Sequence, residues 1–202
     1  MKLLIISGTP KTEGICHSFV EIAKETATKV GFEVDELRLA DEKLVSCQMC
    51  NDGWGTCSSD HSCVLSAKDS FHSLWERVKA ADAYVYITPV YWGDISEGMK
   101  IFIDRLRRVE ATKSWSKQNA TSIMKGKPSI LVANAGGGGN GALSALGILE
   151  NAVSHMGGGD WPRETAGILD MITVNAQNYK YKLKTLAAAI ETMHAALKTK
   201  KD

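Results

Sequence analysis

The sequence predicts an α/β fold: a doubly wound, five-stranded parallel sheet in the order 2-1-3-4-5, with a cysteine-containing loop inserted after strand two. Three observations carry this expectation. Short apolar runs alternate with stretches of helical period along the chain. Several of those runs are apolar without alternation, as strands covered on both faces are. The one break in the rhythm is an aperiodic segment that holds four of the five cysteines.

Residues 2–7 are the first apolar run, and Gly8, Thr9 and Pro10 end it in a loop. Residues 14–30 follow with Phe19, Ile22, Ala23 and Ala27 on one helical face, stopped by Gly31. Residues 32–39 alternate apolar and polar, which predicts a half-exposed strand near an edge. Ser66-x-x-Asp69 has the form of a capping box opening a helix to about residue 79, with Phe71, Leu74, Trp75 and Val78 inward. Residues 83–88 read as a central strand and residues 96–108 as a helix facing inward through Met99, Phe102, Ile103 and Leu106. Residues 110–126 are polar and irregular. A strand over 129–135, a helix over 140–156, a short last strand over 164–169 and a long helix over 178–198 complete a single domain of 202 residues, with 46–65 as the cysteine-rich insertion.

Composition excludes several classes. Lys plus Arg number 24 against 23 Asp plus Glu, a net charge of +1 that gives no footprint for nucleic acid or a membrane surface. No run approaches the roughly 20 apolar residues of a membrane span. The apolar N-terminal run lacks a cleavage site and is broken by Pro10, so it does not read as a signal peptide. The expected compartment is the cytoplasm, where thiols stay reduced.

In sheets of this kind ligands sit beyond the carboxyl ends of the strands, where the strand order reverses. The loop after the first strand, 7–18, is small, hydroxylic and runs into a helix N-terminus, an anion cradle to which Thr9, Lys11 and Ser18 add side chains. After the third strand, Pro89-Val90-Tyr91-Trp92-Gly93-Asp94 sets aromatic surface beside a glycine, as a planar ring requires. After the fourth, Asn134 precedes Gly136, Gly137, Gly138, Gly139 and Gly141, which let backbone N–H groups approach a ligand. Gly136, Gly138 and Gly141 also match Gly-x-Gly-x-x-Gly, with Asp160 downstream, but a dinucleotide fingerprint belongs on the first strand of its half and is rejected here.

Residues 88–106, Thr-Pro-Val-Tyr-Trp-Gly-Asp-Ile-Ser-Glu-Gly-Met-Lys-Ile-Phe-Ile-Asp-Arg-Leu, resemble the NAD(P)H-dependent FMN reductase branch of the flavodoxin-like fold. The likeness extends over nearly the whole chain. It implies FMN as cofactor and NAD(P)H as an electron donor. It places Thr9, Lys11, Cys16, His17 and Ser18 at the FMN phosphate, with Ile15 and Cys16 where Asn and Thr are usual. Pro89, Val90, Tyr91, Trp92, Gly93 and Asp94 fall on the flavin-ring loop, and Asn134, Gly136, Gly137, Gly138 and Gly141 on the third loop. In this branch a homodimer or homotetramer completes the pocket. Tyr91, Trp92, the 97–108 helix and residues 110–126 are the expected contact.

The cysteines run Cys47-x2-Cys50-x6-Cys57-x5-Cys63. In this setting the cluster looks like that of the iron–sulfur flavoproteins, whose cysteines hold a 4Fe–4S cluster beside FMN with a compact middle gap of x2. This chain has x6 there. Gly53 and Gly55 would let the longer loop fold back. Four thiolates also suit tetrahedral zinc, with His61 as an alternative ligand, or redox-active thiols, or cysteines that bind nothing. His72, His155 and His194 lie on helical stretches and read as surface or packing residues. The expected function is FMN-dependent electron transfer, with a 4Fe–4S cluster held by Cys47, Cys50, Cys57 and Cys63. The alternative is a cluster-free NAD(P)H-dependent FMN, quinone or nitro-compound reductase. A metal- or redox-sensing module without turnover is a third class.

Overall fold

The computed structural model describes residues 1–114, 120–157 and 167–199. In chain order it contains β1 (Lys2–Ser7), α1 (Ile15–Val30), β2 (Glu33–Arg38), the short α2 (Thr56–Ser59), α3 (Phe71–Ala80) and β3 (Ala83–Tyr91). There follow β4 (Asp94–Ile95), α4 (Glu97–Ala111), β5 (Ser129–Asn134), α5 (Ala142–Met156), β6 (Ile168–Val174) and α6 (Tyr179–Thr199).

Five strands pair in parallel in the order β2-β1-β3-β5-β6. This is the expected order with one strand added, because β4 is a two-residue return that pairs antiparallel with the end of β3. The central strands β1, β3 and β5 are buried almost throughout, which is why their sequences are continuously apolar. Helices α1 and α6 cover one face, packing Phe19, Val20, Ala23, Leu186, Ile190 and Met193 against Leu3, Ile5, Val85 and Val132. Helices α3, α4 and α5 cover the other through residues such as Leu74, Phe102, Leu106 and Leu149. Among the described residues no helix is long and apolar enough to cross a membrane.

Three expectations are corrected. Helix α3 begins at Phe71, not at Ser66, which lies in a separate 3-10 turn, Val64–Ala67. Asp69 makes no capping box: its Oδ1 accepts the Phe71 N–H at 3.1 Å and its Oδ2 the Val45 N–H at 2.8 Å. The last strand is Ile168–Val174 rather than 164–169, of which residues 164–166 lie outside the described residues, as does Asp160. On this edge strand Leu169 and Met171 are exposed while Ile172 and Val174 are buried, so apolar residues stand on both faces and mask the alternation. Finally, α4 continues to Ala111, so part of the segment read as irregular is helix, and residues 115–119 of it lie outside the description. Glu110 is buried there and collects Lys113 Nζ, Trp75 Nε1 at 2.7 Å, Ser122 Oγ at 3.0 Å and the Ile123 N–H at 2.9 Å.

The inserted loop is fastened to α4 by a buried ion pair. Arg105 and Asp69 have side chains with 0% exposure and bond through Arg105 Nη1. Burial alone would raise the Asp69 carboxyl, but the guanidinium and the Val45 and Phe71 N–H groups outweigh it and hold the carboxyl below its ordinary value. Asp69→Ala leaves Arg105 buried without its countercharge and should lower stability by about 3–5 kcal/mol in urea unfolding at neutral pH. A carboxyl with a depressed folded value stabilises the fold fully above its unfolded value of about 3.9 and loses that contribution as pH falls through the lower folded value. The gap between wild type and variant should therefore hold from neutral pH to about 5 and narrow below about 4.

Candidate functional site

Three loops meet beyond the carboxyl ends of β1, β3 and β5. The first, residues 8–14, leaves β1 with the Gly8 N–H on Ile87 O at 2.9 Å, where a Cβ on Gly8 would strike Ser96 Oγ and Met99. Thr9 is buried and its Oγ1 accepts the Lys11 N–H at 3.3 Å, while the Lys11 side chain is exposed. Helix α1 starts at Gly14 with no side-chain cap, so its first amides face the loop unclaimed by side chains. His17 and Ser18 are half-buried in the first turn, and the Ser18 hydroxyl donates back to Gly14 O at 3.2 Å. Cys16 is buried with its Sγ 3.5 Å from Asn134 Nδ2, which bridges the first and third loops. Burial, partly offset by that contact, pushes its thiol up to about 11.

The second loop is a two-residue hairpin. β3 ends in Pro89, Val90 and Tyr91, turns at Trp92 and Gly93 with φ of 54° and 83°, and returns as β4, pairing Tyr91 with Asp94 and Val90 with Ile95. Positive φ at both central positions is the requirement of this tight turn, and a bulky residue rarely meets it. Trp92 does so with its side chain fully exposed, at 107%, and Tyr91 beside it is 47% exposed. The Asp94 carboxylate accepts the Ile95 N–H at 2.7 Å and Thr88 Oγ1 accepts the Ser96 N–H at 3.0 Å, fixing the return into α4.

The third loop carries Gly136 and Gly141 at φ of 59° and 83°, and Gly137 and Gly138 facing open space. Asn134 Oδ1 accepts the Gly136 N–H at 3.4 Å. Gly141 caps α5 without a side chain, and a Cβ there would lie 2.7 Å from Gly93 Cα. The hairpin and the glycine loop are therefore packed backbone to backbone. The expected loop residues come together at one edge of the sheet, flanked by two helix N-termini without side-chain caps.

The cysteines occupy a neighbouring place, on the α4 side. Cys47, Cys50, Cys57 and Cys63 are free thiols that line one cavity of ≈ 400 Å³, its open mouth included, together with Gly53, Gly55, Arg105 and Arg108. The long middle gap is taken up by a left-handed turn, with φ of 47°, 52°, 52° and 87° at Met49, Asn51, Asp52 and Gly53. Gly55 then passes so close to Cys50 that a Cβ on it would sit 3.0 Å from Cys50 Cβ. Thr112 Oγ1 of the turn after α4 donates to Cys57 O at 2.8 Å, and Arg105 Nη2 donates to Cys63 Sγ at 3.3 Å. Among the described residues no three Cys, His, Asp or Glu side chains converge as a set of metal ligands. His61 borders Cys63 in a second cavity with His72, Phe71 and Trp75.

The profile of the NADPH-dependent FMN reductases matches residues 1–178. The chain belongs to that family. An iron–sulfur flavoprotein of Methanosarcina thermophila is 31% identical over 105 residues, 52% of each chain, so the chain spans about half the length of that relative in the match. The NAD(P)H:quinone oxidoreductase of Methanothermobacter marburgensis superimposes with a TM-score of 0.69 at 18% identity over 96% of both chains. An FMN-dependent NADH-azoreductase of Bacillus anthracis, solved with FMN, superimposes with a TM-score of 0.67 at 12% identity, over 98% of this chain and 99% of its own. At these identities the two structures share the fold.

Sequence reasoning assigned no site role to Arg105 or Arg108 and gave Asp69 only a helix-capping one. The available signal was phase: Arg105 stands three residues from Phe102 on a helix face buried mostly through apolar residues, and a charge there has to be paired inside.

The contact between Gly141 and Gly93 can be tested directly. Gly141→Ala adds a methyl where 2.7 Å is available, at a φ of 83° that suits glycine. It should destabilise the protein by about 1–3 kcal/mol in thermal or urea unfolding and weaken FMN binding by displacing the hairpin. Gly137→Ala, facing open space, should change stability by less than about 0.5 kcal/mol.

Proposed function

We propose that this flavoprotein moves electrons between FMN, bound at the three loops, and a 4Fe–4S cluster held by Cys47, Cys50, Cys57 and Cys63, with NAD(P)H or a reduced carrier as the donor. The observation that carries the reading is the gathering of all four cysteines around one cavity floored by a buried guanidinium.

The residues present fit both groups. For FMN, the uncapped amides of α1 with Thr9, Lys11, His17 and Ser18 suit a phosphate, and the buried Cys16 shapes the loop beneath. Pro89, Val90, Tyr91, Trp92, Gly93 and Asp94 offer a flat surface and backbone donors to a ring edge, with Asn134, Gly136, Gly137, Gly138 and Gly141 opposite. For the cluster, the donor set is four thiols around one open-mouthed cavity, and the Arg105 Nε is a buried donor with no hydrogen-bond partner. FMN supplies hydride acceptance and release in single electrons; the cluster supplies a one-electron relay whose potential the protein tunes. The name of the Methanosarcina relative, iron–sulfur flavoprotein, agrees with this reading. The lack of converging metal ligands among the described residues favours instead a cluster-free NAD(P)H-dependent FMN, quinone or nitro-compound reductase.

Elemental analysis separates the two. Protein purified without air should carry FMN together with about four iron and four sulfide per chain. Cys50→Ser should lose the iron and the broad visible absorbance of the cluster while keeping the flavin bands. Flavin without iron or sulfide in the wild type would establish the cluster-free reading.

We place the contact with a second copy at the hairpin tip, where Trp92 and Tyr91 leave large aromatic surface in water. The outer face of α4, with Lys100, Asp104 and Arg107, is polar, whereas the hairpin tip is aromatic. Trp92→Ser should shift the protein toward monomer in sedimentation velocity and leave its melting temperature nearly unchanged. An unchanged oligomer would move the contact elsewhere.

A further inference from the structure

We infer that Arg105 is the internal counter-cation and hydrogen-bond donor of the four-cysteine cavity, and that it sets the reduction potential of the cluster held there. The inference rests on the electron-transfer reading above and adds to it the residue that controls the site's redox behaviour.

The guanidinium has no access to water and lines the cavity together with all four cysteines. Its groups are divided among different tasks. Nη1 serves the Asp69 carboxylate and Val45 O, the latter at 3.1 Å. Nη2 reaches Cys63 Sγ at 3.3 Å, and the guanidinium carbon lies 4.2 Å from the centre of the Phe71 ring. Nε is buried and has no hydrogen-bond partner. Buried N–H groups are seldom left without an acceptor, so a residue that lines the cavity and carries an unpartnered N–H has donor capacity left for what the cavity receives. An iron–sulfur cluster with its four thiolates is anionic, and its sulfurs accept hydrogen bonds.

Asp69 offsets part of the charge, but it does not line the cavity, whereas Arg105 does. The cavity therefore meets the positive end of the pair first, with Arg108 adding a second cation to its wall. A nearby positive charge and N–H donors to sulfur both favour the reduced, more negative cluster, so both raise its potential. Lysine is not an equivalent substitute, since it supplies a point charge without the fork or the Nε donor.

The test uses full-length protein prepared without air, with iron and sulfide content, an EPR-monitored redox titration and a thermal melt as readouts. Arg105→Met combined with Asp69→Asn removes both charges, so neither is left buried alone. It should fold, retain less iron, and lower the cluster's potential by at least about 59 mV, a tenfold rise in the oxidised-to-reduced ratio at fixed ambient potential. Arg105→Lys should shift the potential in the same direction by less. Arg107→Gln, on the same helix and outside the cavity lining, should leave iron content and potential as in the wild type. A folded double variant with unchanged iron and potential overturns the inference and leaves the electron-transfer reading standing. If the double variant does not fold, Arg105→Lys decides alone, and an unchanged potential overturns the inference. Wild-type protein that holds flavin but no iron or sulfide overturns both.

Discussion

A guanidinium cut off from water is tolerated only where its donors find acceptors and its charge a countercharge. Arg105 meets that condition at Nη1 and Nη2, though not at Nε, by drawing three separate segments onto α4: Val45 from the loop after β2, Cys63 from the end of the cysteine stretch, and Asp69 from the approach to α3. The inserted stretch has little apolar surface of its own to bury, since Leu65 is the fully buried hydrophobic residue between Val45 and Asp69. Its path is therefore set by polar contacts to one helix. Thr112, just beyond that helix, takes Cys57 O and completes the attachment. The same contacts that anchor the loop bring the four thiols around one space.

Helix α4 also links that space to the flavin loops. Its N-terminus grows out of the hairpin through Asp94, Ile95 and Ser96, with Thr88 gripping the Ser96 N–H. Gly8 of the first loop packs against Ser96 and Met99 of the same helix start. Arg105 lies eight residues beyond Glu97, about 12 Å along the axis at 1.5 Å per residue. The helix is buried through Met99, Phe102, Leu106 and Val109, so it is a stiff spacer between the two regions. A change in the cysteine loop that reached the flavin loops would have to move α4 against the sheet, a costly displacement in a close-packed interior.

The legible parts of the sequence were those in which one period dominates. β1 and β5 are continuous apolar runs with turn residues after them, and their ends fall within a residue of expectation. β6 was displaced because Leu169 and Met171 face water while Ile172 and Val174 face the core, which leaves no period to read. The start of α3 was misplaced because Asp69 is committed to a partner 36 residues away, and no local pattern reports a long-range ion pair. The three ligand loops were visible as composition, since glycine, hydroxyl and aromatic residues after strands have few other uses. The apposition of Gly141 and Gly93 was not visible, because it depends on how two loops from different strands meet.

Strain is concentrated where the chemistry is placed. Trp92 holds a left-handed backbone that a residue of its size adopts at a cost, and the turn from Met49 to Gly53 holds three more left-handed residues that are not glycine, Met49, Asn51 and Asp52. At roughly 1–2 kcal/mol for each ordinary residue, less for Asn and Asp, the cysteine turn costs a few kcal/mol that its own exposed side chains do not return. Asn51 Nδ2 on Trp54 O, at 3.2 Å, is a small local offset. The larger offsets lie at the end of the stretch, in the Arg105 and Thr112 contacts, and these fix Cys57 and Cys63 more firmly than the exposed Cys47. One half of the thiol set is thus held by the fold, while the other hangs on a strained turn whose hydrogen bonds, Gly53 N–H on Met49 O and Trp54 N–H on Asn51 O, are local to it. A group that bound all four thiols would supply the missing restraint, and the protein without it should loosen first between residues 47 and 53.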